Sequence, residues 1–236
     1  MTTRRPTLRE EYGPGYELFI VALSALSLFN VVVVILPIDH EVKEVARIVD
    51  LLLAAIFMAD FAGRLYLARP RRDYFIDRQG WADLLGSLPF PFLRVFRIVR
   101  LVRAVHRVEA MGGRKVVREL IVERHQTALL VATFFVIAIL EFGSMFVLGA
   151  ERDKPAANIK TGGDALWWAV VSIATVGYGD RYPVTPEGRV VGVALIIGGV
   201  GLFGVFTGFL ARVFLTPVGG DRPAGAVPSA RSDEEG

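Results

Sequence analysis

The sequence predicts an all-α membrane protein with six transmembrane helices, and three observations carry that reading. Of the 236 residues 53% are hydrophobic and the mean hydropathy is +0.47, above the roughly 45–50% apolar content of a soluble domain. The apolar residues are gathered into runs near the ~20 residues that cross a hydrocarbon core. The main basic clusters outside those runs fall on one side of them. A sequence pI of about 9.4 therefore reads as inner-surface loops, and no nucleic-acid partner is expected. There is no cysteine, which excludes disulfides, thiolate nucleophiles and Cys-based metal sites.

The first span runs from Tyr16 to Pro37, where proline cannot continue the helix without losing a hydrogen bond. After the polar turn IDHEVKE, a second extends from about Val45 to Ala68 and is closed by Arg69, Arg71 and Arg72. The third, about Tyr74 to Phe90, is weak because Asp77, Arg78, Asp83 and Pro89 interrupt it. The fourth, Phe92 to Val108, carries Arg94, Arg97, Arg100 and Arg103 at every third position, with His106 next in the series and Arg107 after it. Spans five and six cover Gln126 to Leu148 and Arg189 to Leu215.

Six spans put both termini on one side. The clusters at Arg4, Arg5 and Arg9, at Arg69 to Arg78, and at Arg114 to Arg124 all lie there, so both termini are expected in the cytoplasm of a plasma-membrane protein, with anionic lipid as the partner of the basic inner face. The polar N-terminus, residues 1–15, is not expected to be a cleavable signal. Residues 16–108 form the first domain, 109–125 a linker, and 126–215 the second domain. In the linker Val116, Val117, Leu120 and Ile121 share a helical face, as in a helix lying along the membrane surface. The Pro, Gly and charge-rich tail, 216–236, is expected to be disordered.

Two segments carry chemistry. Asp164 to Pro183 reads DALWWAVVSIATVGYGDRYP, an apolar half-helix too short to span, which must enter the membrane and return. Its return limb is Thr175, Val176, Gly177, Tyr178, Gly179 and Asp180. Glycines 177 and 179 permit dihedrals that let successive carbonyls point the same way. Four such strands around an axis would replace the hydration shell of K⁺, with the Thr175 hydroxyl as an inner ring. In the second segment, each three-residue step between arginines turns an α-helix by about 300°, so the charges form a gently winding stripe. A guanidinium in a bilayer costs several kcal/mol and needs a partner. Asp50 and Asp60 in the second span, ~15 Å apart along its axis, and Asp83 in the third supply candidates.

Through TVGYGD, the preceding Trp167 and Trp168 and the following Tyr-Pro, the chain resembles the voltage-gated potassium channel family, in its prokaryotic six-helix form. The resemblance covers about residues 16 to 215. It implies a four-helix voltage sensor followed by a two-helix pore with a re-entrant pore helix, assembled from four identical subunits, since each chain supplies one quarter of a carbonyl ring. It implies K⁺ contacts at Thr175, Val176, Gly177 and Tyr178, filter support from Trp167, Trp168 and Glu151, gating charges at Arg94, Arg97, Arg100, Arg103 and Arg107, counter-charges at Asp50, Asp60 and Asp83, an aromatic plug at Phe57, and a gate hinge at Gly199. K⁺ is the permeant ion, and no cofactor is expected.

The chain departs from the family at Ser172 and Ala174, where Thr is frequent, and at Asp60, where Glu is more common. Arg181 places a positive charge on each subunit near the mouth, which would lower local K⁺ at low salt. Arg64 either pairs with Asp60 or snorkels to the cytoplasm. Gly199 is either a hinge or a close-packing position. Glu141, deep in the fifth span, is either functional or a protonated or locally paired structural acid.

A membrane enzyme would need a catalytic cluster, yet His40, His106 and His125 are dispersed and no nucleophile stands beside a base in sequence. A transporter should show two related halves, and these halves differ. Gly199, Gly201 and Gly204 fit G-x-G-x-x-G, but no strand precedes them, so dinucleotide binding is rejected. A channel opened by hyperpolarisation or weakly selective among cations shares the same architecture and is the alternative reading.

Overall fold

The computed structural model describes residues 13–67, 85, 96–122 and 124–215. The third span, with Asp83, falls outside the described residues, as do Arg94, the N-terminal residues before 13 and the tail after 215. The described residues form seven α-helices: α1 Pro14–Ile35, α2 His40–Leu67, α3 Phe96–Met111, α4 Gly113–Val122, α5 Arg124–Glu151, α6 Gly162–Ile173 and α7 Pro186–Leu215. Among them α1, Thr127–Glu151 of α5, and Pro186–Arg212 of α7 are long and apolar enough to cross a membrane.

Local chemistry sets the ends. Proline at the first position of α1 fits the helical φ and gives up an amide that has no partner there. The same helix stops at Leu36, which is extended (φ −60°, ψ 148°) as a residue before proline must be. Several helices outrun their apolar cores. α2 begins at His40 rather than Val45, and α5 reaches Glu151 rather than Leu148, because polar turns outside the hydrocarbon extend a helix at no desolvation cost. α3 continues past Val108 to Met111 and ends on Gly112 (φ +79°), before α4 starts in a new direction.

α1 and α2 run antiparallel, α3 lies along α1, and both α1 and α2 pack on α5. The joint is a cluster of Leu23, Leu26, Val49, Leu53, Phe57 and Ile137, with the Phe29 and Phe142 rings 5.3 Å apart between α1 and α5. Lipid tails are as apolar as these side chains, so close packing rather than water exclusion holds the spans together. A second cluster joins Val45 of α2, Val147 and Leu148 of α5, Ile159, and Ala165, Trp168, Ala169 and Ile173 of α6, with Leu195 of α7. The short helix α6 is thus wedged between α5 and α7 and also meets α2.

Helix α6 starts on a capping box. The Thr161 side chain accepts from the Asp164 amide at 3.1 Å, and the Asp164 carboxylate accepts from the Thr161 amide at 3.2 Å. Replacing Thr161 by Ala should cost about 1 kcal/mol of stability, seen as a lower melting temperature in detergent, and Thr161→Ser should restore it.

Candidate functional site

Helix α3 presents its arginines to three buried acids. Arg97 Nη1 donates to Asp50 Oδ1 at 2.6 Å, and the same oxygen accepts from Ser27 of α1 at 3.1 Å. Arg100 Nη2 donates to Asp60 Oδ2 at 2.9 Å. Arg107 Nε donates to Glu17 Oε2 at 2.9 Å. Both Arg97 and Arg100 are buried, at 2% and 1% exposure. Charges so placed persist only because each has a carboxylate in hydrogen-bond contact, and removing one partner from a buried pair costs about 3–5 kcal/mol. Arg103 is half-buried on the same helix.

The spacing of these pairs is uneven. Three residues separate Arg97 from Arg100, a rise of about 4.5 Å, whereas Asp50 and Asp60 lie ~15 Å apart along α2. The two guanidinium groups must therefore diverge, and Phe57 occupies the interval. The Arg100 guanidinium sits 3.8 Å from the centre of the Phe57 ring, a cation–π contact.

Glu17 and Tyr16 belong to this network although the sequence reading did not single them out. Glu17 is 2% exposed and also accepts from Arg64 Nη1 at 2.8 Å. Tyr16 donates to Asp60 Oδ1 at 2.8 Å, an oxygen shared with Arg64 Nε at 2.8 Å. Arg64 thus pairs with Asp60 and Glu17 rather than reaching the cytoplasm. The signal for Glu17 was an acid inside an apolar run, masked by its place at the run's first turn.

The second centre is the limb after α6. Thr175, Gly177 and Gly179 have φ of +57°, +59° and +78°, whereas Val176 and Tyr178 between them are not in that region. Such alternation turns successive carbonyls toward one side. For glycine it is free of strain, but for the β-branched Thr175 it costs of order 1–3 kcal/mol. Backbone bonds hold the start of the limb: Thr175 N to Ser172 O at 3.1 Å, and Val176 N to Val171 O at 3.0 Å.

The limb is braced from outside. Trp167 stacks on Tyr178 with ring centres 5.9 Å apart and planes 3° from parallel, and its Nε1 donates to Asp180 Oδ2 at 2.8 Å. Trp168 instead enters the core between α5, α6 and α7. Beyond the limb, Glu151 accepts from the amides of Val184 (3.0 Å) and Thr185 (2.9 Å) and from the Thr185 hydroxyl (2.6 Å). Asn158 brackets the exit: its Nδ2 donates to Asp180 O at 3.2 Å and its Oδ1 accepts from Tyr182 N at 3.2 Å.

Arg181 is not a free positive charge at the mouth. It pairs with Asp164 at 2.9 Å and donates to Asn158 O at 2.7 Å, so its field is largely offset within the subunit. A Cβ at Gly199 would stand 3.0 Å from Ile173 Cα, and α7 is helical through that point. Glu141 is fully buried among residues that include Asn30 and Asp50, where α5 faces α1 and α2.

Apolar spans, charge pairs buried between helices and a braced limb of alternating backbone dihedrals describe a membrane protein. The chain belongs to the Ion transport protein family, which matches residues 13–215. It is therefore a transport protein of the membrane and not an enzyme. Over 216 residues it is 26% identical to the protein of Rhodopseudomonas palustris called "Putative potassium channel protein", covering 83% of this chain and 52% of that one. A voltage-gated potassium channel of Aeropyrum pernix is 40% identical over 73 residues, 31% of this chain and 25% of the relative. A cyclic nucleotide-gated potassium channel of Mesorhizobium japonicum is 41% identical over 68 residues, 29% and 19% of the two chains. The chain thus spans about half the length of the first relative and a quarter or less of the others.

Replacing Glu151 by Ala should strand two amides and a hydroxyl in a buried site, at about 1–3 kcal/mol for each group left unpaired. The expected result is a large fall in thermal stability in detergent, with Glu151→Gln falling less because one acceptor oxygen remains.

Proposed function

We propose that the chain is one of four identical subunits of a voltage-gated potassium channel in the plasma membrane, with six spans per subunit and both termini cytoplasmic. The observation that carries this reading is the alternating backbone of Thr175 to Gly179, braced by Trp167 and Asp180. Four copies around an axis would set rings of carbonyl oxygens from Thr175, Val176, Gly177 and Tyr178, which exchange for the water around K⁺. Such contacts are close enough to replace hydration and weak enough to release the ion. The names of the relatives, potassium channels all, agree with this assignment.

The arginine helix supplies the control. A charge that crosses the membrane field gains or loses ~2.3 kcal/mol per 100 mV, so several charges in each of four subunits amount to tens of kcal/mol. Arg97 on Asp50 and Arg100 on Asp60 represent one setting of the stripe. Shifting α3 along its axis would pass the next arginine across Phe57 to the vacated acid, with Arg94 above and Arg103 and Arg107 below, and Asp83 as a further acid. Gly112 and α4, with Arg114 and Arg118 exposed toward anionic lipid, would carry the shift to the inner ends of α5 and α7. Gly199 is the assigned point of bending in α7.

Purified protein in planar bilayers should give currents that reverse near the K⁺ equilibrium potential under a K⁺/Na⁺ gradient. Equal permeability to Na⁺ and K⁺ would overturn the filter assignment. Arg97→Gln combined with Arg100→Gln should flatten the dependence of conductance on voltage, and an unchanged curve would overturn the sensor assignment.

A further inference from the structure

The outer end of α2 is fastened to the first turn of the pore helix by a contact that neither centre above uses. Glu41 Oε2 and Glu44 Oε2 both accept from the backbone amide of Gly162, each at 3.1 Å. The two carboxylates thus converge on a single N–H. The approach is so close that only glycine fits: a Cβ at residue 162 would lie 2.7 Å from the Glu41 carbonyl oxygen and 2.9 Å from Glu44 Cβ.

The contact is set in a rigid frame. Beneath it Val42 and Val45 join the cluster of Val147, Leu148, Ile159 and Ala165. Beside it Arg152, just past α5, donates to Asp39 Oδ1 at 2.7 Å. His40 Nδ1 stands 3.7 Å from Glu41 Oε1. On the α6 side the nearest acid is Asp164, already occupied by the Lys160 and Thr161 amides and by Arg181. Helix α6 has 12 residues, about 18 Å of rigid rod, and its far end is two residues from Thr175. A change of tilt at Gly162 therefore reaches the carbonyl limb.

Resting on the channel reading above, we propose that Glu41 and Glu44 are positioning residues for the filter. On the part of the sensor that does not carry the arginines, they hold the first amide of the pore helix between them, and outer acid that neutralises Glu41 loosens that hold. The Gly162 amide, the largest influence, holds the Glu41 carboxyl below its ordinary value of 4.5. An acid lowered in this way contributes its hold at neutral pH and loses it as pH falls through and below that value. The same contact makes α2 a fixed post against which α3 moves.

The test is the decay of K⁺ current during maintained opening, recorded from the full chain as outer pH is stepped from neutral to about 4. High ionic strength on both sides suppresses surface-charge effects. Wild type should decay about tenfold faster in acid, the size of one charge-assisted hydrogen bond. Glu41→Gln with Glu44→Gln should decay fast already at neutral pH and show a flat pH profile. Replacing Gly162 by its α-hydroxy counterpart, which makes the amide an ester and removes only the N–H, should do the same, so the proposal does not depend on the double variant folding. Restoring one acid, as in Glu44→Gln alone, which keeps Glu41, should recover part of the pH dependence. A wild-type pH profile in the double variant or in the ester would overturn the proposal. Absence of K⁺-selective current in the wild type would instead overturn the channel reading on which it rests.

Discussion

A charge inside a bilayer must bring its partner with it, and this requirement shapes the half of the molecule built from α1, α2 and α3. Asp60 is the hub: one oxygen takes Arg64 and Tyr16, the other Arg100. Its partners come from α1, α2 and α3, so the single carboxylate fixes the relative heights of three helices. Glu17 repeats the arrangement one level further in, joining α1 to Arg64 of α2 and Arg107 of α3. Moving α3 without breaking these bonds is impossible, and moving it by one arginine exchanges like for like. Discrete partners of this kind hold α3 at one defined height, where a soft interface would not.

The half built from α5, α6 and α7 obeys a different constraint, the need to hold a backbone in a conformation it would not choose. Thr175 at positive φ is strained, and the limb beyond it has few bonds of its own. Its shape is imposed by neighbours: the Trp167 ring and indole N–H, the Asn158 amide, the Arg181 to Asp164 bridge, and Glu151 behind residues 184 and 185. Strain maintained by surroundings marks a functional segment. The Gly162 contact ties the two constraints together, because the helix that aims the strained limb is gripped by the helix that carries Asp50 and Asp60.

Much of this was legible in the chain. Asp50 and Asp60 stood out as acids in an apolar run, and the three-residue period of Arg97 and Arg100 gave their counterparts, because charge in hydrocarbon has few explanations. The TVGYGD limb was legible because glycine spacing constrains dihedrals directly. What escaped depended on distance in sequence. Glu17 looked like an ordinary acid at a membrane edge until Arg107, ninety residues away, was seen to reach it. Gly162 stood out for nothing, since no local signal announces that α2 passes within contact of it. Arg181 looked like a free charge because its partner Asp164 had already been spent, in the sequence reading, on the start of a helix. Asp83 and Arg94 lie outside the described residues and rest on pattern alone.

The central claim is that the arginines of α3 change partners across Phe57 when the membrane field changes. The absence of native cysteine allows a direct measurement: Arg97→Cys, reconstituted in bilayers, is challenged from the outer side with a membrane-impermeant thiol reagent at two holding voltages. The account predicts a modification rate that differs strongly between the two voltages, fast when α3 is displaced outward and slow when position 97 is drawn below Asp50. A rate that is the same at both voltages would show that the helix stays where it is and would contradict the account.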